Sequence, residues 1–148
     1  MISREGVLRL SAGRELDILV AEHVMGWRVE TDHAKLKQLS HYVSRPTACT
    51  WWRDPQGGWH VDPPRYSSEI GAAWQVVGTM NQRGHAFFLL QSLEESRAAF
   101  GDPDATDADY MKGKDVAGAI CKAALTAVAR PLRVVNAAGV RQVKRQNI

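Results

Sequence analysis

The apolar positions near the start of the chain recur at helical spacing. Over residues 13–25 they are separated by three and four positions, which predicts an amphipathic helix. Ser11 is available as its N-cap, and Gly26 is expected to end it. A shorter helix is expected over 33–43, because Pro46 prevents any longer continuation.

Two further helices are predicted in the second half of the chain. Ser67 can cap a helix over 68–82, which Gly84 ends. An alanine-rich segment over 113–129 has a narrow apolar face suited to close packing, and Pro131 ends it. The apolar stripe expected on the helix over 68–82 consists of Ile70, Ala73, Trp74 and Val77.

Strands are predicted between these helices. Residues 49–61 place two aromatic arms around an Asp-Pro-Gln-Gly-Gly centre, which is typical of a β-hairpin. The apolar run over 85–91 predicts a buried central strand. Residues 95–101 are expected to form a strand because they follow at hairpin distance, although their helix propensity is high. Helices combined with a small antiparallel sheet predict an α+β sandwich.

Composition restricts the class of protein. A chain of 148 residues with 45% hydrophobic and 24% charged residues suits one globular domain. No apolar run reaches the length of a membrane span, and no signal-peptide core follows the first residues. Two cysteines, Cys49 and Cys121, are too few for a disulfide framework. We therefore expect a cytoplasmic protein that makes no membrane contact.

The charge is unevenly distributed. The net charge is +3, yet residues 130–148 carry five bases and no acid. We therefore divide the chain into one domain over 1–129 and a basic C-terminal extension over 130–148. The extension is either a solvated, frayed terminus or a contact for nucleic-acid phosphates or an acidic partner. Its bases are Arg130, Arg133, Arg141, Lys144 and Arg145.

A cluster of tryptophans and cations is the main candidate for a ligand site. Trp51 and Trp52 are adjacent on a predicted strand, so they should point to opposite faces. Aromatic rings beside arginine suit a nucleobase, a cyclic nucleotide or a single strand. The alternative is packing in the core or between copies of the chain, where tryptophan is enriched. The candidate residues are Trp51, Trp52, Arg53, Trp59, His60, Arg65 and Tyr66.

Motifs for catalysis or metal binding are weak. Cys49 and His60 could meet across the hairpin, but two ligands do not make a zinc site. The acidic run over 102–109 departs from the calcium-loop pattern at its sixth and twelfth positions. Cys121 lies on an apolar helix face, where a thiol is expected to be inert. We therefore assign no catalytic residue, no metal and no cofactor, and we disfavour an enzyme.

Three blocks of sequence resemble one family. Residues 14–27 read RELDILVAEHVMGW, residues 64–77 read PRYSSEIGAAWQVV, and residues 119–128 read AICKAALTAV. In this order, and spanning roughly residues 13–129, they resemble the phage ABA-sandwich domain family. Residues 28–62 depart from the family pattern as a longer, tryptophan-rich insertion, and the basic extension is also additional.

The resemblance implies a small protein encoded by a phage or prophage. It implies an α-β-α layered sandwich with a small, mainly antiparallel sheet and three main helices. It implies no reaction, and it carries over no catalytic residues. A specialised function would therefore lie in the insertion or in the basic extension.

These observations favour a non-enzymatic accessory protein that acts by binding. We expect a homo-oligomer, associated through an apolar helix face or the tryptophan hairpin, whose further partner is a host protein or a nucleotide-like small molecule. A narrower form is counter-defence, in which a nucleotide signal is captured between subunits. The alternative is a nucleic-acid-binding module that uses the basic extension, and a small enzyme is the third hypothesis.

Overall fold

The computed structural model of the chain describes residues 2–39, 50–102 and 109–129, together with the backbone of residues 132–135 and 141–144. Within these ranges the helices are α1 Arg4–Arg9, α2 Arg14–His23, α3 His33–Gln38, α4 Ile70–Gln82 and α5 Val116–Val128. The strands are β1 Arg28–Val29, β2 Trp52–Arg53, β3 Trp59–His60, β4 Ala86–Gln91, β5 Ser96–Gly101, β6 Met111–Gly113, β7 Leu132–Val135 and β8 Arg141–Lys144.

The strands form separate antiparallel sheets. One sheet has the order β1-β2-β3, a second has the order β4-β5-β6, and β7 pairs with β8. Helices layered against small antiparallel sheets make an α+β fold. The fold class predicted from the sequence is therefore confirmed.

Helix α5 occupies the centre of the core. It packs on β5 and β6 and also contacts α4 and α2. Ten of its thirteen residues are buried, most of them alanine or glycine. Small side chains let the helix backbone approach its neighbours closely, as expected for an alanine-rich face. At its start, the Asp115 carboxylate accepts a hydrogen bond from Gly118 N at 2.8 Å and caps the helix.

The first predicted helix is confirmed, but its cap is not. Helix α2 begins after Gly13, which has a φ of 151° and makes no side-chain cap. The prediction that Ser11 caps this helix is therefore wrong. Gly26, with a φ of 78°, lies beyond the C-terminal end of α2, as expected. Helix α3 confirms the start of the segment predicted over 33–43, whose last residues lie outside the described ranges.

Helix α4 is rotated relative to its predicted stripe. Ala73 and Val77 are buried, but Ile70 and Trp74 are 49% and 48% exposed. The inner face consists of Ala73, Val76, Val77 and Met80. The predicted stripe and the observed inner face both have helical spacing, so the spacing alone does not determine which of them faces the core. Ser67 does not cap α4, which begins at Ile70.

The apolar strand over 85–91 exists, but it is neither central nor buried. Strand β4 forms one edge of its sheet, and the central strand is β5. Burial falls along β4, so that Leu90 is 53% exposed. A short apolar run predicts that the strand contacts other apolar side chains. It does not show whether those side chains come from the same chain or from another one. The strand predicted over 95–101 is confirmed as β5.

The end of the chain contains more structure than a frayed terminus. Strands β7 and β8 pair as an antiparallel hairpin, with Arg133 opposite Val143 and Val135 opposite Arg141. Arg130 and Arg145 lie outside the described residues. Across the described ranges, every helix is too short or too polar to cross a bilayer.

Candidate ligand-binding groove

The β1-β2-β3 sheet aligns two arginines and a tryptophan across its strands. Arg28 lies opposite Arg53, and Arg53 lies opposite Trp59. Directly opposite residues of antiparallel strands share a face, so these three side chains form one row. Trp52, next to Arg53 in sequence, is 3% exposed and faces the core. The row therefore lies on the side of the sheet that is turned away from the core.

Aromatic rings hold one of these arginines in place. The guanidinium carbon of Arg53 lies 4.0 Å from the centroid of the Trp59 ring, within cation–π distance. Trp51 meets Trp59 edge-on, with ring centroids 6.4 Å apart. Trp51, Arg53 and Trp59 are all half-buried. Together they form a surface of flat apolar rings beside a fixed positive charge.

A groove of about 530 Å³ runs along the edge of this row. Three cations line it, namely Arg28, Lys35 and Arg53. Within the described residues neither Arg28 nor Lys35 forms an ion pair. The remaining lining residues are Gly26, Val29, Glu30, Asp54, Pro55 and Gly57.

Asp54, an acid in the groove, is committed to the hairpin turn. Its Oδ1 accepts hydrogen bonds from Gln56 N at 2.9 Å and Gly58 N at 2.8 Å. Its Oδ2 lies 2.7 Å from His60 Nε2. The hydrogen bond with His60, followed by that from Gly58 N, lowers the pKa of Asp54 below its ordinary value. The carboxylate therefore stays ionised, with its oxygens already bonded within the hairpin. The other acid of the groove, Glu30, accepts a hydrogen bond from Asp32 N at 3.0 Å.

Glycines make this turn possible. Gly57 has a φ of 87°, in the left-handed region that favours glycine. A Cβ on Gly58 would lie 3.1 Å from the Asp54 carboxyl carbon and from His60 Nε2, and closer still to Asp54 Oδ2. The Asp-Pro-Gln-Gly-Gly sequence thus sets the position of both Asp54 and His60.

The hairpin is anchored to the core through a contact between two aromatic rings. The ring of His60 packs on Trp27 at a centroid distance of 4.7 Å. The side chain of Trp27 also interacts with the hydroxyl of Tyr66, which is 1% exposed. Burial raises the pKa of Tyr66 to about 12. The groove is thus built on a preformed support, which limits the ordering cost of binding.

The structure separates the residues nominated from the sequence. It brings together Trp51, Arg53, Trp59 and His60, while burial of Trp52 and Tyr66 favours the packing alternative for these two. Trp51 and Trp52 do lie on opposite sides, as expected. Of the nominated residues only Arg53 lines the groove, with Trp51, Trp59 and His60 in the contacts around it, and Arg65 is exposed in the segment before α4.

Two groove cations were missed by the sequence analysis. Arg28 follows the buried Trp27, and Lys35 lies in the short helix α3. Neither belongs to a recognisable motif: Arg28 reaches the groove when β1 pairs with β2, and Lys35 lines it from α3. For Arg28 the local signal was its position directly after Trp27, which places a cation beside an aromatic residue.

No cluster of three or more metal-ligating side chains occurs among the described residues. The Cys121 thiol is fully buried, and burial, with Asp17 and Asp115 adding to it, raises its pKa. Such a thiol is a packing group, as the sequence indicated. Part of the acidic run over 102–109 lies outside the described residues, and Asp109 pairs with Arg4 at 2.9 Å.

The architecture is that of a small α+β domain whose helices and antiparallel sheets are layered around one alanine-rich helix. The chain belongs to the Phage ABA sandwich domain family, whose model matches residues 18–125. The resemblance seen in the three sequence blocks is therefore confirmed. The match runs through the tryptophan-rich segment over 28–62 and ends before the basic extension.

A solved structure supports the same fold. The chain is similar to a phage protein from Bacillus cereus ATCC 14579, with a TM-score of 0.54 and 18% sequence identity. The alignment covers 80% of this chain and 93% of that one. No curated protein sequence matches this chain. At this level of identity the likeness concerns the fold alone.

Proposed function

We propose that this protein is a phage accessory protein that acts by binding, and that its groove captures a small phosphate-bearing ligand of the nucleotide class. The single observation that carries the proposal is the placement of Arg28 directly opposite Arg53 at the groove. The two guanidinium groups repel each other when the groove is empty. A bound anion offsets that repulsion.

The chemistry of the cations favours phosphate. Arginine presents a planar fork of donors that bonds two phosphate oxygens at once, while lysine acts as a point charge. Arg28, Arg53 and Lys35 supply both kinds of donor along one groove. The three cations outnumber the two carboxylates of the groove, Glu30 and Asp54, so the groove has a net positive charge that favours an anion.

The aromatic rings favour a ligand that also carries a flat ring. A nucleobase stacks on tryptophan or on an arginine plane with a contribution of about 1–3 kcal/mol. Arg53 already lies on Trp59, and Trp51 stands at the edge of that pair. A nucleotide thus matches both halves of the site, with its phosphates toward Arg28 and its base toward the tryptophans.

Family membership supports a role during infection. A phage gains from a protein that removes a nucleotide signal of the host's defence, and capture needs no catalytic group. Sequestration of such a signal is the function we propose.

The test is titration calorimetry of the full chain with ADP, cyclic di-AMP and inorganic pyrophosphate. We expect Arg28→Gln and Arg53→Gln each to weaken binding by about tenfold or more, since a charge-assisted hydrogen bond contributes about 1.5–3 kcal/mol. Arg9→Gln is the matched control, because Arg9 is exposed on α1 and does not line the groove. Failure of all three probes to bind, or unchanged binding in both groove variants, would falsify the proposal.

A second candidate function is nucleic-acid binding by the basic extension. Five bases without an acid over 130–148 favour it, and β7 and β8 give part of this segment a defined backbone. Phosphate contacts release counterions, so binding should weaken steeply with salt. Truncation after residue 129 should abolish retention of a DNA or RNA oligonucleotide. Retention that is independent of salt or of the extension would exclude this function.

A further inference from the structure

Strand β4 has an uncharged edge with no strand beside it in the described parts of the chain. Its sequence AFFLLQ contains neither a charge nor a proline, and its ladder partner is β5 on the other side. Natural edge strands are usually protected by charges, prolines or bulges against pairing with another chain. Strand β4 has none of these protections over six paired residues.

Helix α4 extends this uncharged surface. None of its thirteen residues is charged, although 24% of the chain is. Ile70 and Trp74 are about half exposed, one helical turn apart. The ring of Trp74 meets Phe87 of β4 edge-on, with centroids 5.7 Å apart. The outer face of α4 and the edge of β4 therefore form one continuous apolar surface.

We propose that this surface, formed by β4 and the outer face of α4, is where two copies of the chain associate about a twofold axis. The absence of charge on this surface indicates which partner binds it. An isologous interface brings the same patch of both copies together, so residues near the twofold axis meet their own counterparts and a charge there would repel itself. A charged peptide would find no counter-charge on β4 or α4, whereas a second copy matches the patch in character.

Strand register limits the geometry of the pair. Phe87 lies opposite Phe100 and Leu89 opposite Ala98, so Phe87 and Leu89 share the face that packs on the helices. When β4 pairs with its copy in the antiparallel sense, the helices of both copies lie on the same side of the joined sheet only if one residue faces its own counterpart at the twofold axis. An axis at Phe88 or at Leu89 satisfies this condition. Either one joins the two three-stranded sheets into one sheet of six strands.

The size of the surface sets the expected strength. Strand β4 and helix α4 are each about 20 Å long, from their rises per residue. Two elements of this length would bury an area at the lower end of the range for specific protein–protein interfaces. We therefore expect a reversible dimer that forms between about 1 and 100 µM.

The experiment is sedimentation equilibrium of the full chain across that concentration range. The wild-type protein should approach twice its mass of 16.4 kDa. Leu89→Lys and Leu90→Lys should remain folded, because both side chains are partly exposed in one copy, and should shift the dissociation constant upward by about tenfold or more. Leu8→Lys is the matched control, since Leu8 on α1 is 39% exposed against 36% for Leu89.

A cross-link tests the register directly. Opposed residues of antiparallel strands have Cα atoms about 4.5–5.5 Å apart, within disulfide reach. Cysteine placed at Phe88 or Leu89, with Cys49 and Cys121 replaced by serine, should give a covalent dimer on oxidation, and cysteine at Leu8 should not. A wild-type monomer at about 100 µM overturns the proposal. A dimer that survives both lysine substitutions overturns it too, and so does equal loss of the dimer in Leu8→Lys.

Discussion

Arg28 and Arg53 lie directly opposite each other on neighbouring antiparallel strands. Like charges in this position destabilise a sheet by a few tenths of a kcal/mol up to about 1 kcal/mol. Asp54, the acid next to them, is held by its own turn and by His60. The folded protein therefore keeps a repulsive pair at the lip of a groove, which is the arrangement expected where stability is given up for binding.

Replacing Arg28 by glutamine should therefore stabilise the unliganded protein. The expected gain is about 0.5 kcal/mol, because the repulsion is relieved while the contact of Arg53 with Trp59 remains. Urea unfolding measures it, and the gain should shrink as salt is added. Arg9→Gln serves as the control and should leave the free energy of unfolding unchanged. Destabilisation by Arg28→Gln would show that this arginine supports the fold.

Ser67 ties α2 to the segment that leads into α4. Its backbone N and its hydroxyl both donate to Asp17 Oδ1, each at 2.7 Å. Both residues are buried, so loss of the hydroxyl leaves a buried carboxylate with fewer donors. We expect Ser67→Ala to cost about 1–3 kcal/mol in the free energy of unfolding.

The neighbouring Ser68 provides the matched control for this prediction. It is exposed, and Ser68→Ala should change the free energy of unfolding by less than about 0.5 kcal/mol. Equal effects of the two substitutions would contradict the structural role given to Ser67.

Two glycines should respond to alanine in opposite ways. A Cβ at Gly113 would lie 2.8 Å from Ala119 Cα and from the carbonyl oxygen of Asp115, so β6 and the start of α5 would have to separate. A Cβ at Gly78, within α4, would meet nothing within 4 Å. We expect Gly113→Ala to destabilise by about 2 kcal/mol or more. Gly78→Ala should stabilise by about 0.5–1 kcal/mol.

Thermal or chemical unfolding of the two variants beside the wild type checks this pair. Both changes add the same methyl group, so a difference in sign isolates the surroundings of each glycine. A tolerated Gly113→Ala would mean that β6 and α5 do not pack as closely as the structure indicates.

Stability should fall at alkaline pH because of Tyr66. Burial raises the pKa of its hydroxyl from about 10 to about 12. The unfolded chain therefore loses the phenolic proton first, and the free energy of unfolding falls as pH rises from about 10 to about 12. The full loss amounts to at most about 3 kcal/mol.

The variant Tyr66→Phe isolates this contribution. It removes the ionisable group, so its free energy of unfolding should decline less steeply over that pH interval than that of the wild type. Urea unfolding at several pH values from about 9 to about 12 measures both slopes. Parallel slopes would contradict the assignment.

Much of the fold was predictable because its long elements carry periodic patterns. Helices α2, α4 and α5 were located from apolar spacing, the tryptophan hairpin from its turn residues, and β5 from its hairpin distance to the preceding strand. The short elements α1, β1 and β6 were missed, since two to six residues contain too little periodicity to detect. The caps failed for another reason: Ser67 had a tertiary partner in Asp17 that local sequence does not reveal.

The site was half predictable. Trp51, Arg53, Trp59 and His60 lie within one hairpin, so local sequence was enough to group them. Arg28 reaches the groove through pairing with a strand more than twenty residues away, and Lys35 reaches it from helix α3; no local pattern encodes either placement. Similarly, the mistaken interpretation of β4 as a central strand arose because its apolar residues lie at an edge.

The most direct test of ligand capture at the groove uses the indole N–H signals of the tryptophans in a ¹H–¹⁵N spectrum. The five tryptophans report on different places: Trp51 and Trp59 beside the groove, Trp27 and Trp52 in the core, and Trp74 on α4. The account predicts that adding ADP shifts the signals of Trp51 and Trp59 in a saturable way and leaves Trp74 unmoved. A spectrum that does not change, or changes confined to Trp74 or to residues 130–148, would contradict it.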